Sequence, residues 1–207
     1  MIITVLGATG ATGQEVVQQA LDAGHEVRAL VRRLDALEAR PGLKVVAGDA
    51  TDPTDVAEAS RGTDVVISAL GTGTGLGKST LMTDAIGAII EASEATGVKR
   101  FILVSSYVVG AADRLTCSAR LMSRTLLRNI KVDKARSETL LKSSDLAWTI
   151  VDPPRLTNEQ GSRASHVAAL SERISLGDSV ARSALAAWML AESEANAHVR
   201  DEVVVTS

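Results

Sequence analysis

The sequence predicts an α/β fold, a single doubly wound parallel sheet with helices on both faces. Short β-branched stretches alternate with longer amphipathic stretches along all 207 residues, as expected of consecutive βαβ units. The runs at 65–70 (VVISAL) and 101–104 (FILV) are apolar without alternation, which is typical of parallel strands buried on both faces. The hydrophobic fraction of 45% is enough for a full core, and we expect one domain over 1–207.

The pattern places each element in turn. Strands are predicted at 2–6, 26–31, 43–47, 64–70, 99–105, 146–151 and 202–206, the last closing one edge of the sheet. Helices are predicted at 11–23, 53–60, 79–96, 116–143 and 177–192, with a short one near 34–39. The segment 152–176 contains two adjacent prolines and lacks periodicity, so it is predicted to be irregular. We expect this loop to cover a substrate, with a plain surface excursion as the alternative.

A glycine-rich turn lies between the first strand and the first helix. It reads GATGATG at 7–13, with the spacing G-x-x-G-x-x-G. Glycines permit a tight turn and let backbone N–H groups approach a pyrophosphate, while the helix N-terminus adds donors and a positive dipole end. In this strand–turn–helix context the motif predicts the dinucleotide site of a Rossmann fold.

The second strand predicts which dinucleotide binds. It ends in Arg32 and Arg33, where NAD-preferring sites carry an acidic residue. Two guanidinium groups suit a 2′-phosphate, so NADPH is predicted, with solvated surface arginines as the alternative. After the third strand, Asp49 is placed either to reach adenine or to cap the helix that begins near residue 53.

Composition excludes several other classes of protein. The net charge of −3 and an aromatic fraction of 2% argue against nucleic-acid binding and against an anionic membrane surface. A single cysteine, Cys117, excludes an internal disulfide and fits a reducing compartment. The first strand begins at residue 2, without a signal peptide, so we expect a cytoplasmic protein. The segment 71–79 resembles a P-loop, but Thr72 replaces its first glycine; Lys78 there is a candidate neighbour of the substrate.

A basic stripe runs along the predicted helix at 116–143. Arg120, Arg124 and Arg128 recur every four residues, opposite an apolar face. The stripe is either a solvated helix surface or a positive rim that attracts an anionic substrate.

Several motifs together resemble one family. They are GATGATG at 7–13, LVRR at 30–33, VAGDA at 46–50, ALGTG at 69–73, GVKRFILVSS at 97–106 and LLKSSDLAWTIVDPPRL at 140–156. Over nearly its whole length the chain resembles the atypical short-chain dehydrogenases/reductases. It is most similar to the NAD(P)H-binding group that includes flavin reductase (biliverdin-IXβ reductase) and the NmrA-like proteins.

The resemblance implies a role for each matching residue. The pyrophosphate would be held by Gly7, Thr9, Gly10, Ala11, Thr12 and Gly13. The adenosine half would contact Arg32, Arg33, Asp49, Ala50, Leu70 and Gly71. At the nicotinamide, Ser106 would orient the acceptor or relay a proton, supported by Ser105 and Tyr107. The carboxamide would lie against Pro153, Pro154 and Leu156.

The chain also departs from the wider family. The catalytic Y-x-x-x-K pair of the wider family is absent. The only tyrosine is Tyr107, and the residue four positions after it is Ala111 instead of lysine. The residue four positions before Lys134 is Ile130 instead of tyrosine. The resemblance therefore implies an NADPH-dependent reductase of a planar acceptor, such as a flavin, quinone or tetrapyrrole, which takes its proton from solvent. The alternative is a non-catalytic, NmrA-like sensor of NADP(H) that acts through a protein partner. For the reductase we expect a small-molecule acceptor, no metal, and a monomer or small homo-oligomer.

Overall fold

The computed structural model describes residues 1–71, 79–107, 128–159, 165–168, 175 and 177–207. The strands are β1 (Ile2–Leu6), β2 (Glu26–Val31), β3 (Leu43–Ala47), β4 (Val65–Ser68), β5 (Arg100–Val104), β6 (Ala147–Val151), β7 (Arg155–Thr157), β8 (His166–Val167), β9 (Ser179–Ala181), β10 (Asp201–Val203) and β11 (Val205–Thr206). The helices are α1 (Ala11–Asp22), α2 (Pro53–Ser60), α3 (Leu81–Thr96), α4 (Arg128–Lys142) and α5 (Arg182–Ala195), with a 3-10 turn at Leu34–Ala36.

The central sheet has seven parallel strands in the order β10-β6-β5-β4-β1-β2-β3. Six of them follow the order 3-2-1-4-5-6, which is that of a doubly wound dinucleotide-binding sheet. The order reverses between β1 and β4, so a crevice opens at the carboxyl ends of these two strands. The predicted fold class is confirmed.

The sheet separates two layers of core. Helices α1 and α5 pack together on one face, and α2, α3 and α4 cover the other. Within β4, Ile67 faces the first layer and Val66 the second. Because successive strand side chains alternate between faces, both faces need apolar residues, which explains the uninterrupted apolar runs.

The structure differs from the predicted elements mainly after β6. The predicted helix 177–192 begins only at Arg182, because Ser179–Ala181 is extended and pairs with β7. The segment 152–176 is not wholly irregular, since it includes the short strands β7 and β8. The predicted strand 202–206 is divided: β10 closes the sheet, whereas β11 pairs antiparallel with β8. Residues 116–127 of the long predicted helix lie outside the described residues.

Among the helices that the structure describes, none combines the length and the apolar character needed to cross a membrane.

Candidate cofactor site

The glycine turn after β1 is packed too tightly for side chains. Gly7 has a φ of +78°, and a Cβ there would lie 2.8 Å from the carbonyl carbon of Ala69. A Cβ on Gly13 would lie 2.1 Å from the Gly7 carbonyl oxygen. Glycine is required at both positions, because the turn is pressed between the end of β4 and the first turn of α1.

The N-terminus of α1 is open to an anion. Gly10 is its N-cap and supplies no side-chain cap. The Gly10 N–H donates to the Gly7 carbonyl at 3.0 Å, which closes the turn. The N–H groups of Ala11, Thr12 and Gly13 occupy the first helical positions, which lack intrahelical acceptors. These donors and the helix dipole fit the pyrophosphate of a dinucleotide.

A cleft of about 240 Å³ extends from this turn along the carboxyl ends of β1 to β4. Eight of the predicted cofactor residues line it: Gly7, Thr9, Gly10, Arg32, Asp49, Ala50, Leu70 and Gly71. The remaining wall consists of Leu30, Val31, Gly48, Ala69 and Leu81; of these, Gly48 and Ala69 belong to the predicted motifs at 46–50 and 69–73, and sequence reasoning missed the other three. All but Leu81 lie at or just after strand ends that were already predicted, so a search of every strand end would have found them.

The two arginines after β2 are placed differently. Arg32 lines the cleft. Arg33 does not: its Nε lies 3.5 Å from Asp35 Oδ1, and its side chain is 77% exposed. Asp35, the partner of Arg33, lies in the 3-10 turn. Of the two arginines, only Arg32 lines the cleft.

Asp49 does not cap α2, although its position in the sequence allowed that role. The cap of α2 is Asp52, whose carboxylate accepts from the N–H groups of Thr54 and Asp55 at 2.8 and 3.3 Å. Asp49 Oδ1 instead accepts from the Thr51 N–H and hydroxyl, at 2.9 and 2.8 Å. These bonds, and then the nearby Arg32 guanidinium, lower the pKa of Asp49 despite partial burial. An ionised carboxylate therefore lines the cleft just after the end of β3.

The predicted nicotinamide residues converge where β5 and β6 end. The Ser105 N–H donates to the Val151 carbonyl at 2.8 Å, and the Tyr107 N–H donates to the Pro153 carbonyl at 3.4 Å. The segments 105–107 and 151–154 are thereby brought side by side. Ser106 is half-buried, and the ring of Tyr107 is buried. Burial, and then the carboxylate of Asp178, raise the pKa of the Tyr107 hydroxyl.

Two predicted residues do not line the cleft at β1 to β4. The Ser105 hydroxyl donates to Glu138 Oε1 on α4 at 2.5 Å, so it faces the helix layer. Leu156 pairs with Val180 in the β7–β9 ribbon and packs on the α1–α5 layer of the core. It therefore forms no part of the cleft wall at β1 to β4.

Sequence reasoning also missed a group of buried acidic residues beside Ser105. They are Glu138 on α4 and Asp152 directly after β6, with Glu202 of β10 nearby. The available signal was Asp152, a charged residue that immediately follows an apolar strand at the edge where ligands bind. Lys78, Cys117, Arg120 and Arg124 lie outside the described residues, as does the side chain of Arg128.

Comparison with known proteins agrees with this geometry. A family described as NAD(P)H-binding matches residues 7–195, so the chain belongs to that family. The "Uncharacterized sugar epimerase YhfK" of Bacillus subtilis is 33% identical over 194 residues, which are 90% of this chain and 87% of that protein.

Solved structures share the fold. ChuY, an anaerobillin reductase from Escherichia coli O157:H7, has a TM-score of 0.79 at 25% identity and covers 99% of this chain and 96% of its own. A short-chain dehydrogenase/reductase from Veillonella parvula in complex with NADP has a TM-score of 0.83 at 18% identity, over 100% of this chain and 94% of its own. The protein thus has the fold of the NAD(P)-binding oxidoreductases.

Proposed function

We propose that the protein is an NADPH-dependent reductase that transfers hydride to a planar acceptor such as a flavin, a quinone or a tetrapyrrole. The observation that carries the proposal is the cleft that joins the glycine turn to Arg32 and Asp49 at the reversal point of the sheet. The bound cofactor supplies the hydride, and the protein supplies binding, orientation and exclusion of water.

The choice of NADPH rests on Arg32. A guanidinium in the cleft, where NAD-binding sites carry a carboxylate, makes charge-assisted hydrogen bonds to a 2′-phosphate. The carboxylate of Asp49 is turned towards Thr51, and its second oxygen makes no hydrogen bond to a described residue. We propose that this oxygen accepts a hydrogen bond from the adenine amino group.

The surroundings of Ser106 support a planar acceptor. Tyr107, Pro153 and Pro154 are buried, and Ser106 next to Tyr107 is half-buried. We propose that a flat ring stacks over the nicotinamide beside these residues, because hydride transfer needs close and parallel approach. Without a tyrosine–lysine pair, the chain lacks the proton donor that reduction of an ordinary carbonyl uses in the wider family. We propose that the acceptor is a small molecule and that the protein is a monomer or a small homo-oligomer.

Direct binding and turnover distinguish this reductase from a non-catalytic sensor of NADP(H). NADPH and NADH affinities are measured by titration, and NADPH oxidation is followed with FMN, riboflavin, menadione and biliverdin. NADPH binding with turnover of at least one acceptor supports the reductase. Tight binding without turnover of any of them would favour the sensor, and failure to bind either dinucleotide would overturn both.

A variant ties the activity to the cleft. Arg32→Glu should keep the fold, because the side chain is exposed, but should lose NADPH turnover and affinity. Arg61→Glu, an exposed charge reversal at the C-terminal end of α2, is the matched control and should behave like the wild type.

A further inference from the structure

Four side chains lie close together at the ends of β5 and β6: those of Ser105, Glu138, Asp152 and Glu202. In the sheet, Val104 and Val203 both flank Val151, so Ser105 follows beside Asp152 on the adjacent strand. Glu202 pairs with Ile150, two residues before Asp152, and therefore points to the same face. Helix α4 covers that face and places Glu138 Oε1 2.5 Å from Ser105 Oγ.

These groups are shielded from solvent. The side chain of Asp152 is 0% exposed and that of Glu138 is 3% exposed. No described residue outside the carboxyl groups donates a hydrogen bond to either Asp152 oxygen, and the Asp152 carboxyl lies close enough to that of Glu202 to share a proton with it. Glu202 is bound to Lys142 of α4. A buried carboxylate without donors is costly, whereas a buried neutral carboxylic acid is much less so.

The surrounding charges favour a retained proton. Burial raises the pKa of Asp152 well above its usual value, and the neighbouring carboxyls of Glu138 and Glu202 raise it further, against the opposing effect of Lys134. Burial also raises the pKa of Glu138, although its bond from Ser105 opposes this. Two amino groups, those of Lys134 and Lys142, face three carboxyl groups, so at least one carboxyl lacks a cationic partner.

A further charged neighbour, Asp133, already accepts hydrogen bonds from other residues. Asp133, on the same helix, accepts from the N–H groups of Met82 and Thr83, each at 3.1 Å, and from the Thr83 hydroxyl at 2.7 Å. It caps α3 and is not available to the other carboxyls. Lys134 is half-buried, and burial lowers its pKa against the pull of Asp152, Glu138 and Asp133.

We propose that the carboxyl cluster of Asp152, Glu138 and Glu202 stores a proton, which Glu138 delivers through the Ser105 hydroxyl to the acceptor that receives the hydride. The inference rests on the proposed reductase function. It differs from protonation by solvent, because the proton comes from inside the protein. Ser105 lies at the carboxyl edge of β5, the edge at which this fold binds its ligands.

The proposed transfer is balanced. Hydride transfer moves two electrons and one hydrogen to the acceptor, oxidises the nicotinamide and leaves a negative charge on the acceptor. The Ser105 O–H bond then breaks, and its proton neutralises that charge. In the same step the protonated Glu138 gives its proton to the Ser105 oxygen with which it is hydrogen-bonded, so that no alkoxide forms. Water returns one proton to the carboxyl cluster before the next cycle.

The stored proton is tested without any acceptor. Infrared spectra of protein containing isotope-labelled aspartate should show a protonated carboxyl band at neutral pH. The band should be missing in Asp152→Asn and retained in Asp145→Asn, a fully exposed aspartate after α4. A wild-type spectrum without the band at neutral pH would overturn the proposal.

The delivery step is tested by the pH profile of kcat. With menadione or FMN as acceptor, Asp152→Asn and Glu138→Gln should lower kcat at alkaline pH by about tenfold or more, because an internal acid is lost. The fall in kcat with rising pH should also begin at a lower pH, while NADPH affinity stays within about twofold of wild type. Asp145→Asn should match the wild type throughout.

The outcomes separate the two proposals. Turnover with the same pH profile in the wild type, Asp152→Asn and Glu138→Gln would overturn the proton store and leave the reductase standing. Absence of turnover with every acceptor would overturn the reductase and the delivery step together.

Discussion

The guanidinium of Arg100 and the carboxylate of Glu192 form a buried ion pair, with Nη2 and Oε1 2.7 Å apart. The pair joins the start of β5 to the last turns of α5, at the edge of the sheet opposite the cofactor cleft. Arg100 also donates to the Thr149 hydroxyl at 2.8 Å and to the Ala147 carbonyl at 2.9 Å. The Glu192 carboxylate in turn accepts from the His198 N–H at 2.9 Å.

We expect Glu192→Ala to lower the free energy of unfolding by about 3–5 kcal/mol, because it leaves a buried guanidinium without its counter-charge. The exposed Glu194→Ala on the same helix is the control and should have a small effect. Urea unfolding measures both variants, and NADPH affinity should be unchanged in the folded protein. A fall in stability no larger than that of Glu194→Ala would contradict the prediction.

Arg32 and Arg33 should contribute unequally to NADPH binding. A charge-assisted hydrogen bond is worth about 1.5–3 kcal/mol, so Arg32→Ala should weaken NADPH about tenfold or more. Arg33→Ala is the matched control and should cost less, since that side chain pairs with Asp35 outside the cleft. Replacing both should leave NADH affinity nearly unchanged. Titration with both dinucleotides decides the matter, and equal losses for NADPH and NADH would remove the 2′-phosphate assignment.

Gly7→Ala should abolish dinucleotide binding by distorting the turn. Its Cβ would lie 2.8 Å from the backbone of Ala69, in addition to the strain of a φ of +78°. Gly24→Ala separates these two effects, because Gly24 has a φ of +80° with nothing within 4 Å. We expect Gly24→Ala to lose some stability, at most about 1–2 kcal/mol, and to bind NADPH normally. Similar binding by the two variants would show that close packing at Gly7 is unimportant.

Ser106→Ala and Tyr107→Phe should each lower turnover only modestly, by less than the roughly 10²–10⁴-fold expected when a general acid is lost. Neither side chain is indispensable if the proton reaches the acceptor from another source. Burial raises the pKa of the Tyr107 hydroxyl, which makes it a poor proton donor. Single-turnover rates with FMN, alongside NADPH affinity, provide the measurement. Loss of all turnover with intact cofactor binding would identify the changed residue as a dedicated donor.

Features of the fold that depend on residues close together in the sequence could be predicted, whereas features that depend on distant contacts could not. The strands up to β6 were predicted to within about two residues, because burial on both faces produces uninterrupted apolar runs. The strands β7 and β9 were missed, since each has three residues and exists only by pairing with the other. The glycine turn was predicted because its constraint is steric and lies within seven residues.

The finer features of the site depend on distant contacts. Arg32 and Arg33 are adjacent and chemically alike, and only the pairing with Asp35 separates them. Glu138 lies in a polar stretch of α4, and its importance arises only because that helix packs over the end of β5. Sequence periodicity cannot show which side chains meet between a helix and a strand end that are more than thirty residues apart.

The free energy of unfolding should respond to pH through Asp152. Its pKa is raised in the folded protein above the ordinary value of 3.8, so the folded state binds more protons than the unfolded chain once the pH exceeds that value. Stability is therefore greatest below the unfolded pKa and is lost as the pH rises through the folded one. Asp152→Asn cannot ionise and should lose less stability than the wild type as the pH rises from the unfolded pKa through the folded one.

Urea midpoints measured across that range test this difference directly. Asp145→Asn, at a fully exposed position, should follow the wild-type curve. Glu138 has a raised pKa of the same sign and remains in both variants, so the difference between the Asp152→Asn and wild-type curves reports the ionisation of Asp152 together with its effect on Glu138. Parallel curves for the wild type and Asp152→Asn would mean that Asp152 ionises in the folded protein as it does in the unfolded chain, and no proton would then be stored beneath β6.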